Sequence, residues 1–431
     1  MAIVCGTDLS EESLTGLAAA LAIANRRGDH DLVLVNVIDP DTIDDNDAAR
    51  DVLANSSRTR IDADAARLAH GSSTRVRGEV LIGPPVASLI ATTETEGSDL
   101  LVVTSQGHGK TAGRTLGSTA AAVVEAASVP VLVVRDSAPF VAWAAGDRPL
   151  KVMIGLDDSA SCVPAIGLIK ALRGAGPVDV VVGHVYYADE AARRYGVKAH
   201  SMVDADPELE KLIVRDLERQ VGPLPGDGKV TYKARPGLGR VGDHLLELAD
   251  GEQVDVVVVG TRQKGGLGRL SSVSALVLYD AKQAVWCVPA QSVGRLEVPR
   301  FRVAVVATDL SDFGNQAVPY AYTVLGERGG EVHLVLIRDE GHEGIEEATL
   351  HQRLQTLVPS GQTGVISKTH VITADDAATA IGGTAERLGA DVVVLASRGR
   401  TGLSRMFLGS TADKVLRTCR RPVLVLRPPS E

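Results

Sequence analysis

At 431 residues the chain is too long for one ordinary hydrophobic core and suits about three domains. It is 45% hydrophobic and 23% charged, the balance of an ordinary globular protein, with a formal net charge of -9. The acidic balance excludes the basic footprint that nucleic acid requires, and 3% aromatic content leaves few rings on which bases could stack.

The first element is a strand, Ile3-Val4-Cys5, with no charged and apolar leader before it, so no secretion is expected and the cytoplasm is the expected compartment. It ends at Asp8, followed by Ser10 and a helix pattern over Leu14–Ile23. A second strand follows at Leu32–Ile38, then an acidic, turn-rich stretch at Asp39–Asp47 that reads as a solvated loop. Val86–Glu96 is helical in length, Leu100–Val103 is a third, central strand, and a Pro-led strand closes the unit at Val131–Val134. Ser137–Pro149, which holds Trp143, and Ala290–Pro299 collect Pro, Gly and small residues and read as short linkers.

The opening then recurs. KVMIGLDDSASC starts at Lys151 and RVAVVATDLSDFG at Arg302, so that Asp8, Asp157 and Asp309 lie about 150 residues apart. Strands at Val178–Val185 and Val254–Val259 and a helix at Asp243–Ala249 fill the second unit; strands at Val332–Ile337, Val392–Leu395 and Val423–Leu426 and a helix at Ala377–Leu388 fill the third. Domains of 1–138, 149–291 and 300–431 result. Alternating strands and helices with continuous apolar strands give the α/β class, as three tandem doubly wound, Rossmann-like open parallel sheets of flavodoxin-type order. No apolar run approaches the roughly 20 residues of a membrane helix. Cys5, Cys162, Cys287 and Cys419 stand singly, without CxxC pairs, and read as inert thiols.

In such sheets ligands bind beyond the carboxyl ends of the strands. Two features land there. One is the Asp ending the first strand, able to accept from ribose hydroxyls or an amino group, or else to cap the next helix in competition with Ser10, Ser159 or Ser311. The other is the loop after the central strand, which runs Thr104-Ser-Gln-Gly107, nine residues, then Gly117-Ser118-Thr119. In the third unit, displaced by 292 positions throughout, it runs Ala396-Ser-Arg-Gly399, nine residues, then Gly409-Ser410-Thr411. Glycines allow close backbone approach, hydroxyls add donors, and a helix N-terminus favours an anion: a phosphate-binding layout.

All three units resemble universal stress protein domains, which together cover nearly the entire chain. Nucleotide-binding members of that family carry G-x2-G-x9-G-[ST] after the fourth strand and an Asp ending the first. The resemblance implies a site for ATP, or ADP or AMP, with Mg as a possible companion, built in the first unit from Asp8, Gly107, Gly117 and Ser118 and in the third from Asp309, Gly399, Gly409 and Ser410. By the same resemblance Val37, Val103, Ile337 and Leu395 would touch base and ribose. Thr104 and Ala396 stand where the leading Gly would be. The middle unit keeps Asp157, Gly260 and Ser274 but has Gln263 and Val273 at the other glycines, so it reads as a structural domain, with Arg262, Gln263 and Lys264 as a rival ligand cluster.

Gly107-His-Gly-Lys-Thr111 imitates the tail of a P-loop, but the match fails at Thr104 and in the third unit. His108, Arg398 and Arg400 could reach phosphates; His342, among acidic residues, reads as part of a surface loop. No nucleophile and base pair is readable. Three functions stay open: a nucleotide-binding regulatory protein, a nucleotide-free interaction scaffold, and a slow ATP hydrolase. Family domains commonly pair through their last strands, so three domains imply one pair within the chain and one odd domain seeking a second chain, a homodimer, besides an unidentified regulatory partner. A monomer whose third edge is covered by a linker is the alternative, and the pairing partner of the first domain is left open.

Overall fold

Val- and Leu-rich runs form parallel strands because branched side chains fit a pleated surface that is covered on both faces. The first repeat contains β1 (Ala2–Thr7), β2 (Asp31–Ile38), β3 (Arg75–Ile82), β4 (Leu100–Thr104) and β5 (Val131–Val134). The second contains β6 (Leu150–Gly155), β7 (Val178–Tyr186), β8 (Val230–Pro236), β9 (Val256–Thr261) and β10 (Ala284–Pro289). The third contains β11 (Val303–Ala307), β12 (Gly330–Arg338), β13 (Val365–Thr373), β14 (Val392–Ala396) and β15 (Val423–Leu426). The computed structural model describes residues 2–40, 47–106, 116–157, 159, 162–198, 201, 204–261, 272–290, 301–325, 329–338, 342, 344–359, 364–397 and 409–426.

Within each repeat the order is 3-2-1-4-5: β3-β2-β1-β4-β5, then β8-β7-β6-β9-β10, then β13-β12-β11-β14-β15. The doubly wound α/β class is therefore as expected, but the order is of the Rossmann type and not the flavodoxin type. From β1 the chain steps twice in one direction before β4 crosses to the other side. Strand periodicity carries no record of that direction. No continuous apolar run marks β3, β8 or β13 in the sequence. These are edge strands: in β3, Arg75, Arg77 and Glu79 alternate with Val76 and Val80, a charged rim that also deters edge pairing.

Helices pack against the strands: α1 (Ser13–Arg27), α2 (Asp47–Leu68), α3 (Pro85–Thr95) and α4 (Ser118–Ala126) in the first repeat. The stretch expected to be a linker is instead α5 (Ala138–Ala145). Pro139 opens it, Gly146 closes it in the left-handed conformation, and Phe140 and Trp143, three apart, are fully buried. Trp143 Nε1 donates to the Pro177 carbonyl at 2.9 Å, and Arg26 Nε donates to the Trp143 carbonyl at 2.9 Å. Small residues mimicked a flexible tether because the helix buries just two large side chains. The second expected linker and most of the acidic Asp39–Asp47 stretch lie outside the described residues. His342 is buried rather than on an open loop.

The remaining helices are α6 (Cys162–Ala175), α7 (Ala188–Tyr195), α8 (Pro207–Val221), α9 (Val241–Gly251) and α10 (Ser272–Asp280) in the second repeat. The third has α11 (Ala317–Leu325), α12 (Glu347–Thr356), α13 (Ala377–Leu388) and α14 (Ser410–Thr418).

The chain divides into two compact units, Met1–Tyr186 with Leu217–Leu296, and Tyr187–Asp216 with Glu297–Glu431. In the first, β5 and β10 pair antiparallel, Val133 opposite Val285, Leu132 opposite Trp286 and Val131 opposite Cys287. The first two repeats thereby share one ten-stranded sheet and one apolar core. In the second unit the outer edge of β15 pairs with no described strand. The consequence is visible residue by residue: Leu132 is 0% and Val124 5% exposed, while their counterparts Leu424 and Leu416 are 37% and 42% exposed.

Candidate functional site

The tetrapeptide Thr-Asp-Leu-Ser occurs at 7–10 and at 308–311, directly after β1 and β11, and both copies fold alike. Asp8 Oδ1 accepts from the Ser10 backbone N–H at 3.0 Å and from the Ser10 hydroxyl at 2.6 Å. Asp309 Oδ1 accepts from the Ser311 N–H and hydroxyl at the same 3.0 and 2.6 Å. The serine oxygens in turn accept from Ser13 N–H (3.1 Å) and Gly314 N–H (3.0 Å), so Ser10 and Ser311 guide the chain toward the next helix and the aspartates orient them. Both carboxylates are exposed at the strand ends.

Between each Asp and Ser sits a leucine at positive φ, Leu9 at 63° and Leu310 at 60°. A branched side chain there costs on the order of 1–3 kcal/mol, and strain of this kind concentrates at ligand-binding turns. Thr7 Oγ1 and Thr308 Oγ1 support the turn by accepting from the Leu9 and Leu310 N–H groups, each at 3.0 Å. Sequence reasoning missed these threonines and leucines; the verbatim tetrapeptide was the signal. Asn36 was also missed. It is buried beside Val37, and its Nδ2 donates to the Thr7 carbonyl at 2.9 Å, tying β2 to the turn.

β4 lies beside β1 and β14 beside β11, so the loops after Thr104 and Ala396 open at the switch point next to Asp8 and Asp309. Val103 and Leu395 are buried just inside, and Val37 and Ile337 are half-buried at the ends of β2 and β12. Gly107 and Gly399, with His108, Arg398 and Arg400, lie outside the described residues. The chain returns at Gly117 and Gly409, the N-caps of α4 and α14. Gly117 N–H donates to the Ser105 carbonyl at 2.7 Å, and Gly409 N–H to the Ser397 hydroxyl at 2.8 Å. Neither glycine has positive φ, so the glycines admit a close neighbour and do not relieve the backbone. The N-cap glycines offer no side chain to cap either helix, and Ser118, Thr119, Ser410 and Thr411 are exposed on the first turns, beside the partial positive charge of the helix ends.

The middle repeat diverges at both places. Asp157 Oδ1 accepts from Ser159 N–H (2.8 Å) and from the Cys162 thiol (3.2 Å), and Gln220 Nε2 donates to the Asp157 carbonyl at 2.9 Å. Ser274, the serine that the motif's letters align with Ser118, is the third residue of α10 and so takes the place of buried Ala120 in α4; it is 2% exposed, and its hydroxyl donates to the Gly260 carbonyl at 2.9 Å.

Burial pushes the thiols of Cys5, Cys162 and Cys287 up to about 12, so they are protonated and poor nucleophiles at neutral pH. Among the described residues no group of three His, Cys, Asp or Glu side chains could hold a metal ion, and no helix is long and apolar enough to cross a membrane.

The profile of the Universal stress protein family matches residues 1–135, 150–289 and 300–427. The chain belongs to this family. Its three universal stress protein repeats follow one another in tandem. A universal stress protein of Methanocaldococcus jannaschii is 29% identical over 145 residues, 30% of this chain and 85% of that protein. One of Mycobacterium tuberculosis strain H37Rv is 33% identical over 144 residues, 31% of this chain and 96% of the relative. Among solved structures, a universal stress protein from Archaeoglobus fulgidus DSM 4304 aligns with a TM-score of 0.51 at 19% identity, covering 67% of this chain and 98% of its own, a likeness of fold.

Proposed function

We propose that this universal stress protein is a regulatory binder of ATP, or of ADP or AMP, with one site in each of the flanking repeats (1–138 and 300–431) and a structural middle repeat (149–291). The observation that carries the reading is what the flanking repeats share and the middle one lacks. Ser118 and Ser410 are exposed at the starts of α4 and α14, behind glycine N-caps and beside matching Asp–Ser turns, whereas Asp157 of the middle repeat accepts from the Cys162 thiol. Phosphates would meet the first-turn N–H groups and hydroxyls of α4 and α14. Asp8 and Asp309 would accept from ribose, and Val37, Val103, Ile337 and Leu395 would line the base; Gly107 and Gly399 belong to the same loops, and Mg would accompany ATP.

Protein purified without added nucleotide, then denatured, is expected to release adenine nucleotide at about two equivalents per chain by mass spectrometry. Gly117→Leu and Gly409→Leu should each remove about one equivalent. About three equivalents would refute the silent middle repeat. No release together with no binding of ATP and Mg²⁺ on titration would leave the interaction scaffold as the better reading, consistent with Thr104 and Ala396 at the leading position. Metal-dependent release of phosphate would favour the hydrolase.

The same chain is proposed to form a homodimer through β15. Within the first unit the equivalent edge, β5, is covered by an antiparallel neighbour, and Leu424 and Leu416 are exposed where Leu132 and Val124 are buried. A second copy supplies an identical apolar edge, and a two-fold axis makes that contact self-complementary.

A further inference from the structure

We infer that residues 187–216 of the middle repeat are a docking arm whose partner surface is the outer face of α13 in the third repeat. The chain leaves β7 and returns at β8, yet this intervening stretch is compact with Glu297–Glu431.

The fit is built at three levels. At the backbone, α7 ends at Gly196 in the left-handed conformation, and a Cβ on Gly383 would stand 3.2 Å from the Gly196 Cα. This accounts for Gly383 inside a helix, where glycine is the poorest ordinary choice: a side chain would hold the arm away. At the helix terminus, Arg215 Nη2 donates to the Glu386 carbonyl at 2.7 Å and Nη1 donates to the Arg387 carbonyl, so the arm caps last-turn carbonyls of α13 with a cation matched to the helix dipole. Among side chains, Glu386 is 3% exposed and accepts from Arg194 Nε at 3.3 Å and Arg421 Nη2 at 2.9 Å. Asp216 accepts from Arg421 at 3.0 Å and from the Tyr195 hydroxyl at 3.0 Å.

The corresponding helix of the first repeat shows what the surface is without an arm. On α3 the positions matching Gly383 and Glu386 are Ala91 and Glu94, and both are exposed. The third repeat carries Gly383 and the buried Glu386, and the middle repeat supplies Gly196, Arg194 and Arg215 to meet them, with Arg421 of the third repeat as a further partner of Glu386.

Hydrogen–deuterium exchange on the full chain tests the arm. Gly383→Leu should accelerate exchange across Ala188–Gly196 by roughly tenfold or more while β1 and β4 stay unchanged. If the arm is not docked, the same substitution leaves it unaffected and slows exchange in α13, because leucine is the better helix former. That opposite sign would overturn the inference. Arg215→Ala, on the arm itself, should speed exchange in the last turn of α13; an unchanged rate there would also overturn it.

Discussion

Leu132→Arg should prevent the first compact unit from folding, while Leu424→Arg, the same change at the matching position of the third repeat, should leave a folded protein and abolish only its self-association. Leu132 is fully buried opposite Trp286 in the antiparallel pair that joins β5 to β10. A guanidinium there has no described anion beside it, and an unpaired buried charge costs several kcal/mol, a large part of the stability of such a unit. Leu424 is 37% exposed on β15, so in a single chain its replacement meets water. In a β15 to β15 dimer the two arginines would face one another across the axis. Light scattering should give a dimer for the unaltered chain and a monomer for Leu424→Arg, each with intact circular dichroism. A monomer before substitution would defeat the dimer, and soluble, folded Leu132→Arg protein would defeat the account of the shared sheet.

Acid should destabilise the second unit between about pH 6.5 and 4. On one face of β12 and β13, His333 Nδ1 lies 2.9 Å from His370 Nε2, and His333 Nε2 lies 3.1 Å from Glu331 Oε2, which also accepts from Lys368 at 2.8 Å. The carboxylate fixes the tautomer: His333 donates through Nε2 and accepts from His370 Nε2–H through Nδ1. Protonating His333 would set two N–H groups against each other. Burial first, then His333, Arg387, His351 and Lys368, lower His370 to about 4; burial lowers His333 too, against the pull of Glu331.

A base depressed in the folded state leaves the unfolded chain to take the proton first. The stabilisation is therefore whole above the unfolded value near 6.5 and is lost as pH falls toward about 4. The shift corresponds to at most about 3 kcal/mol, and partial exposure of His370 argues for roughly half of that. Urea unfolding followed at several pH values should show the loss, and His370→Gln should flatten it. An identical pH slope in the variant would sink the assignment.

The repeats, their first, second and last strands and their strand-end aspartates could be read from sequence because buried parallel strands are uninterrupted apolar runs and because one loop was used twice. Edge strands were not legible, since β3 mixes Arg75, Arg77 and Glu79 with its valines as a solvated rim must. Helix α5 was hidden by its alanines. Ser274 matches the motif by letter, yet α10 starts two residues before it, at Ser272, so its hydroxyl lies on the inner side of the helix and bonds to Gly260. The arm was likewise invisible: Gly383 looks like a weak spot in α13 until Gly196 is placed against it.

The joining of β5 to β10 also fixes the combining power of the molecule. One internal pair uses up two of three equivalent apolar edges, and β3 and β8 at the ends of that sheet are guarded by charge or exposure. In the proposed dimer an odd repeat number thus leaves the chain one last-strand edge to offer, at β15. A subunit that joined only there would stop at two copies whatever its concentration, and the route to open-ended filaments that stacked sheet edges invite would be closed by parity.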